Sequence, residues 1–230
     1  MMATVVEEKQ KMDFQNVRVR ISLRFDYVLF PFDIVELLEN LAKIGYALTV
    51  PPPPRMVGQN VRLSAKGKIA QKGDIEIEVN DERGVIAASS SVPTLAFKSL
   101  NEIIQLIRDK LGVDLTEKAS FYEIIGNLDV KTGRNAMEMV ERISEKNKYM
   151  EELGSTLGQD VSSYTLRLVP RGQVPSQTEW LDITIEPNIV KPSTTYRVLV
   201  IYRSKDKPKI ERFVQSLMES LAKVIKAIEA

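Results

Sequence analysis

The amino-acid sequence predicts an α+β protein made of two tandem repeats. Each repeat has the element order β-α-β-β-β-α, with helices packed on one face of antiparallel sheets. The order strand, turn, strand, loop and helix runs from Asp74 to Gly112, and the same order returns from Trp180 to Ile228. We therefore assign the first repeat to residues 13–113 and the second to residues 117–230, and we expect the two to superpose.

Corresponding elements of the two repeats are separated by a nearly constant number of residues. The first strands begin at Val17 and Phe121, an offset of 104 residues, and the caps of the first helices, Asp33 and Asn135, are 102 residues apart. A steady offset over several elements is typical of a repeated architecture. Identity between the halves is low, so the repeat is one of pattern.

The first strand has the clearest pattern in the chain. Apolar and polar residues alternate, which is the period of a strand with one buried face and one solvated face. The apolar set is Val17, Val19, Ile21, Leu23, Phe25, Tyr27 and Leu29, and the opposite set is Arg18, Arg20, Ser22, Arg24 and Asp26.

The next two strands form a predicted hairpin with a three-residue turn at residues 71–73. This turn would place Lys68 opposite Glu76 and Lys66 opposite Glu78. Cations meet anions on one face in this register, and apolar side chains meet on the other. The agreement of both faces supports the hairpin, which a third strand follows.

Capping residues mark the predicted helix starts of the first repeat. Asp33 with Glu36 and Ser99 with Glu102 have the spacing at which one side chain caps a helix start and the other reaches back to it. Gly112 stands where the second helix should end, because glycine readily adopts the left-handed conformation of a helix C-terminus.

The second repeat begins with a predicted strand from Tyr122 to Val130. One predicted helix follows, capped by Asn135 and ended by Gly154 and Gly158, and then three alternating strands and a long final helix. Pro208 lies in the first turn of that final helix, where its missing N–H costs little. Its apolar stripe needs a sheet or another helix beneath it. The stripe consists of Ile210, Phe213, Val214, Leu217, Leu221, Val224, Ile225 and Ile228.

Composition bounds the chemistry available to the protein. Hydrophobic residues make up 43% of the 230-residue chain and charged residues 27%, which is enough apolar material for a packed core. The formal net charge of +1 offers no global attraction to nucleic acid or to an anionic membrane, although a local patch remains open. Cysteine and histidine are both absent, which excludes disulfides, thiolate nucleophiles, Cys/His zinc sites and imidazole catalysis.

Targeting signals are not apparent in the sequence. The charged N-terminus does not resemble a signal peptide, and no apolar run reaches the length of a membrane span. We therefore expect a cytoplasmic protein that does not enter a membrane. A cysteine-free chain rich in Lys and Glu is also typical of thermophiles.

The order of elements resembles the saddle of the TATA-box-binding protein family. The resemblance covers most of the chain and implies two repeats that share one curved sheet, with helices on the convex side. That family also has paired phenylalanines that wedge into DNA and an apolar concave face, and neither maps onto this sequence. A helix-grip fold, with a sheet wrapped around the last helix and an apolar ligand cavity, is the alternative.

The outer face of the first strand is the main candidate contact surface. Its guanidinium groups could bind phosphates, but the strand with Asp74, Glu76 and Glu78 supplies anions, so a solvated and paired face is the favoured interpretation. The same carboxylates could hold Mg²⁺, although such stripes are common without metal. Trp180 has the parity of the outer face, where an exposed tryptophan would mark a contact. The candidate contact residues are Arg18, Arg20, Arg24, Arg62, Lys66, Lys68 and Trp180.

Functional motifs are few. The chain lacks the nucleophile elbow, the phosphate loop and the dinucleotide fingerprint, so a hydrolase that uses carboxylates is only a third hypothesis. We expect a non-catalytic protein, without cofactor or metal, that binds a protein partner or a ligand held between sheet and helix. Nucleic-acid binding through the Arg- and Lys-bearing sheet face is the alternative.

Overall fold

The structure, a computed structural model, describes residues 12–26, 31–49, 65–145 and 147–230. The strands in these residues are β1 (Asp13–Phe25), β2 (Ala47–Leu48), β3 (Lys66–Lys72), β4 (Ile75–Asn80), β5 (Val85–Ser90), β6 (Ala119–Lys131), β7 (Leu166–Leu168), β8 (Trp180–Pro187) and β9 (Thr195–Ser204). The helices are α1 (Ile34–Lys43), α2 (Pro93–Leu111), α3 (Ala136–Glu145), α4 (Lys148–Leu157) and α5 (Lys207–Glu229).

All of these strands belong to one antiparallel sheet with the order β2-β3-β4-β5-β1-β6-β9-β8-β7. The long strands β1 and β6 lie side by side at its centre, and the strands on either side of this pair follow in a mirrored order. The predicted α+β class with an antiparallel sheet is therefore confirmed. The superposition of residues 13–113 on residues 117–230 stays a prediction.

The alternation of the first strand is confirmed over the residues that the structure describes. Val19, Ile21 and Leu23 are fully buried, and their neighbours in sequence lie on the other face of the sheet. The strand begins earlier than predicted, at Asp13, after which a β-bulge near Asn16 shifts the register against β6. Its predicted continuation through Tyr27 and Leu29 lies outside the described residues.

Helices α2 and α5 cover the central strands and pack against each other. In α5 the predicted stripe is confirmed, with its five most central members buried and the remaining three packed at the margin of the core. Asp206 caps α5 by accepting a hydrogen bond from the backbone N–H of Lys209, and Asp33 caps α1 by accepting one from Val35. The prediction of Pro208 in the first turn of α5 is also confirmed.

The predicted start of α2 at Ser99 is wrong, because α2 begins at Pro93 and Ser99 is buried inside it. Proline is favoured at this position, since its ring fixes the backbone in the helical range. The N-cap, Val92, has no side-chain oxygen to offer. Instead the Ser90 hydroxyl accepts a hydrogen bond from the Val92 N–H at 3.0 Å, and the Asp74 carboxylate holds the Ser90 hydroxyl at 2.7 Å. The supporting carboxylate thus comes from the β3–β4 turn, 16 residues before Ser90, where no local pattern reveals it.

The single helix predicted after Asn135 is two helices. Asn135 caps α3 by accepting a hydrogen bond from the Met137 N–H, as predicted. Helix α3 ends at Glu145, and Asn147 caps α4 by accepting a hydrogen bond from the Tyr149 N–H at 3.1 Å. Asparagine favours helix starts, since its short side chain reaches the free N–H groups of the first turn. Gly158, at φ +68°, ends α4.

Candidate binding face of the sheet

The two faces of the sheet differ in what covers them. Helices α1, α2, α3 and α5 bury their apolar side chains in one cluster with Val19 and Ile21, whereas α4 buries no side chain. Because strand side chains alternate, Arg18, Arg20 and Arg24 lie on the opposite face. We call this opposite face the open face, and it carries the candidate site.

Five long charged side chains on the open face form ion pairs that we together call the ion-pair ladder: Arg18, Arg20, Lys68, Glu76 and Glu78. Arg20 Nε donates to Glu78 Oε2 at 2.8 Å, and Lys68 Nζ donates to Glu76 Oε1 at 2.9 Å. Arg18 donates to the other oxygen of Glu76. The favoured interpretation of a paired, structural face thus matches the geometry around these three cations.

The arginines of the ladder reach across a whole strand. Arg18 and Arg20 lie on β1 and their partners on β4, so each pair spans β5, a distance of two strand spacings or about 9.5 Å. The outward residues of β5 beneath the ladder are Ala87 and Ser89, which are 0% and 2% exposed. Small side chains at these positions leave room for the pairs to meet above the strand.

Two carboxylates beside β5 have a pKa below the ordinary range. Hydrogen bonds from the Ser90 hydroxyl and from the Ser91 backbone and hydroxyl lower the pKa of Asp74. The hydrogen bond from Lys68 lowers the pKa of Glu76, and the charge of the nearby guanidinium group adds to it. Both groups are therefore held as anions by neighbours on the protein.

The predicted hairpin register is wrong by two residues. Lys68 lies opposite Glu78 and Lys66 opposite Asn80, because the turn has two residues, 73–74, and a β-bulge follows Lys68. The predicted meeting of Lys68 with Glu76 nevertheless occurs, since the lysine side chain reaches the carboxylate diagonally.

The remaining predicted contact residues do not join the ladder. Lys66 Nζ donates to Glu82 Oε2 at 3.1 Å, and not to the predicted Glu78. This difference follows from the shifted register. Arg24 lies on the open face outside the ladder, and Arg62 lies outside the described residues.

The expectation of an exposed tryptophan is wrong, because Trp180 is 4% exposed. As the alternation along β8 predicts, its side chain lies on the other face of the sheet from Ile183 and Ile185, which face the helices. The segment that precedes it folds back onto the open face, where the Arg203 guanidinium donates to the carbonyl oxygen of Pro175 at 2.8 Å. Since Trp180 pairs with Arg203 across β8 and β9, this contact holds residue 175 beside the start of β8.

A groove of about 600 Å³ crosses the open face beside the ladder, and we call it the Phe121 groove. The Phe121 ring lines this groove and contacts two guanidinium groups, with Arg24 Cζ 5.8 Å and Arg203 Cζ 5.4 Å from the ring centroid. Both distances are within the range of cation–π attraction. The lining also includes Arg20, Ser22, Glu78, Asn80, Arg83, Val85, Glu123, Ile125 and residues 175–177.

Positive charge exceeds negative charge in this groove, which contains four arginines and two glutamates. Each glutamate contacts one arginine, and these pairs are Arg20 with Glu78 and Arg203 with Glu123. For Arg24 and Arg83, no carboxylate of the described residues lies within ion-pair distance. These two guanidinium groups are therefore available to an anion from outside.

Next to the groove, the open face carries a cluster that we call the aliphatic patch: Ile125, Leu199 and Ile201. All three are partly exposed, and Ile125 pairs directly with Ile201 across β6 and β9. Further out, Arg167 holds the buried carboxylate of Asp182 through Nε and Nη2, and the contact of Nη2 is 2.5 Å long. The patch thus lies between charged groups that already have partners.

The helix side of the molecule has a groove of its own, of about 680 Å³, along α2 and α5. Its apolar lining includes Phe97, Leu106 and Val214, and its rim includes Lys72 and Glu211. Phe97 and Val214 are largely buried in the core, so the groove is a shallow cleft over the helices rather than a cavity between sheet and helix.

Comparison with protein-family models, with curated proteins and with solved structures found no match for this chain. Among the described residues, no helix is both long and apolar enough to cross a membrane. The same residues contain no group of three or more acidic side chains placed to hold a metal ion.

Sequence reasoning did not assign Phe121, Arg83 or Arg203 to a site. Each lies in a different part of the chain, in β6, in the β4–β5 turn and in β9, and only the strand order brings them together. The alternation along β6 and β9 does show that Phe121 and Arg203 lie on the face of the sheet away from the buried apolar residues. Their proximity to Arg24 could not, because it depends on the pairing of β1 with β6 and of β6 with β9.

Proposed function

We propose that this is a non-catalytic binding protein that takes a protein partner on its open face. The observation that carries the proposal is the aliphatic patch of Ile125, Leu199 and Ile201, which is partly exposed between the ion pairs Arg167–Asp182 and Arg203–Glu123. Contact surfaces commonly combine an apolar centre with a charged rim. The ion-pair ladder and the Phe121 groove supply that rim.

The chemistry of the carboxylates supports binding rather than catalysis. The two that line the Phe121 groove, Glu78 and Glu123, each contact an arginine. A carboxylate acting as general base or acid needs a free oxygen and a pKa near the working pH. In both glutamates a guanidinium group already binds one carboxylate oxygen.

Nucleic-acid binding is the second candidate, and one observation favours it. The groove is lined by four arginines, two of which lie over an aromatic ring. Single-stranded nucleic acid binds such sites by stacking its bases on the aromatic ring and placing its phosphates next to the cations. Against it stand the two glutamates of the groove and the carboxylates of the ladder, which would repel phosphates. The net charge of +1 adds no long-range attraction.

A selection experiment tests the proposal. A phage-displayed library of random dodecapeptides is panned against the full chain, against Ile201→Glu and against Ile143→Glu. Ile143 lies on α3, is 46% exposed, and provides a matched change from isoleucine to glutamate away from the open face. We expect peptides that bind the wild-type chain and the Ile143→Glu variant but not the Ile201→Glu variant.

Two results would contradict the proposal. The first is a set of peptides that bind all three proteins equally, because the open face would then not be the contact surface. The second is tight binding of fluorescein-labelled single-stranded dT12 that weakens steeply with salt, which would favour nucleic acid instead. Melting curves of both variants establish that each is folded.

A further inference from the structure

We infer that the Phe121 groove holds an acidic segment of the protein partner, with a carboxylate of that segment bound by Arg24 and Arg83. The inference rests on the proposed function and specifies the chemistry of what binds. It starts from the excess of two guanidinium groups over carboxylates in the groove. The cations in excess are Arg24 and Arg83, since the other two arginines are paired within the protein.

Strand pairing places these two arginines at the same level along the strands, where β4 turns into β5. Arg24 on β1 lies opposite Val85 on β5, and Val85 lies opposite Asn80 on β4. The Arg83 N–H donates to Asn80 Oδ1 at 3.1 Å, so the turn that carries Arg83 is held beside Val85. A planar guanidinium group binds a carboxylate through two parallel hydrogen bonds, and two such groups around one position form a site for one acidic side chain.

The length of the groove indicates an extended segment rather than a small metabolite. Its lining comes from five adjacent strands, β4, β5, β1, β6 and β9, and therefore spans four strand spacings, or about 19 Å. An extended peptide covers this distance with about six residues, because each residue advances about 3.3 Å. The acidic residue would lie between Arg24 on β1 and the turn that carries Arg83, and the rest of the segment would run towards β9.

The rest of the lining favours a peptide over a polyphosphate chain. Val85 and Ile125 offer apolar contacts, whereas Glu78 and Glu123 add negative charge at intervals along the groove. A nucleic-acid strand carries a charge at every nucleotide and would bring phosphates close to these carboxylates. A peptide can alternate one acidic side chain with apolar ones and so match the alternation of the lining.

The test uses the peptides selected on the wild-type chain. We expect Asp or Glu to be enriched at one position over the starting library. For a synthesised, fluorescein-labelled peptide, replacing that residue by its amide should weaken binding to the wild-type chain about tenfold to a hundredfold, as for the loss of a charged hydrogen bond. On the Arg24→Gln/Arg83→Gln double variant the acidic and the amide peptide should bind alike, and about as weakly as the amide peptide binds the wild-type chain.

The control is Arg212→Gln on the exposed face of α5, which removes an arginine far from the groove and should leave both affinities unchanged. Peptides that depend on Ile201 but show no acidic enrichment and bind the double variant normally would overturn the inference and leave the proposed function standing. Failure to select any peptide sensitive to Ile201→Glu would overturn both. Binding of dT12 that the double variant abolishes would replace the peptide by nucleic acid.

Discussion

The two faces of the central sheet are kept dry in different ways. On the helix side, Ile21 and Ile124 meet across β1 and β6 and are fully buried under helices. On the open face, Ala87 and Ser89 are just as buried without any helix above them, because the ion-pair ladder crosses over β5. Burial on the helix side therefore comes from apolar packing, and burial on the open face comes from long charged side chains over small ones.

The open face is itself divided. The strand beside β1 is β5, with small outward residues and a ladder above them. The strand beside β6 is β9, whose outward residues Leu199 and Ile201 are large, apolar and partly exposed. Covering the β9 side would require an apolar surface from another molecule, which is why we place the partner there. The difference between the halves separates a region covered by its own charged side chains from one whose apolar side chains stay partly exposed.

The largest effect should come from the helix side. Leu217 on α5 is 1% exposed, and its truncation to alanine removes buried methyl groups and leaves a cavity. We expect Leu217→Ala to lower the free energy of unfolding by about 2–5 kcal/mol, measured by urea denaturation. Glu219→Ala, on the wet face of the same helix, should leave the melting temperature almost unchanged. Equal losses in the two variants would refute the assignment of this stripe to the core.

A smaller but still clear loss should follow from filling the space under the ladder. We expect Ala87→Leu to cost about 1–3 kcal/mol, because the added side chain would push apart the pairs that cross β5. The matched change on the other half is Thr184→Leu, whose side chain is outward and only partly buried on β8, and it should change stability by less than about 0.5 kcal/mol. If Ala87→Leu proved as silent as Thr184→Leu, the ladder would not cover β5 in solution.

The sequence predicted those features that depend on local periodicity. The alternation of Val19, Ile21 and Leu23 predicted a half-buried strand, and the spacing of the α5 stripe predicted a helix over a sheet; both are confirmed. The prediction of where α2 starts was wrong because the carboxylate that supports this start, Asp74, lies in the turn between β3 and β4. A contact between residues far apart in the chain leaves no local pattern.

The candidate site was less predictable for the same reason. Lys68 and Glu76 were brought together in the prediction, but the turn and bulge that set their register could not be read from alternation alone. The parity of Trp180 predicts its face of the sheet correctly, but parity says nothing about which segment covers that face, so the burial of its side chain could not be read from the sequence. The Phe121 groove needs the order of five strands, which the sequence does not state.

Acid should weaken the open face before the helix side. The pKa values of Asp74 and Glu76 lie below their ordinary values of 3.8 and 4.5, so the stability that these groups contribute is present above about pH 5. It is lost as the pH falls through the lowered values, when each carboxylate takes up a proton. We expect the melting temperature to fall between about pH 5 and pH 2. The Asp74→Asn/Glu76→Gln variant should start lower at pH 6 and show a shallower fall, whereas parallel curves for the two proteins would contradict this origin of the acid sensitivity.

The smallest effect should be that of a single rung of the ladder. Arg20 and Glu78 are each 28% exposed, so their attraction is partly screened by water, and their hydrogen bond replaces contacts that both groups make with solvent in the unfolded chain. A double-mutant cycle of Arg20→Gln and Glu78→Gln should give a coupling free energy of less than about 1 kcal/mol. The coupling should decrease further when salt is raised to about 1 M, where the screening length falls to about 3 Å.

Arg20 also lines the Phe121 groove, so the same cycle distinguishes its two roles. A coupling close to zero, together with weaker peptide binding in Arg20→Gln, would move Arg20 from the self-covered half of the open face to the contact surface. A salt-insensitive coupling of several kcal/mol would show instead that the pair is as dry as the helix side, and the distinction between the two faces would then fail at this position.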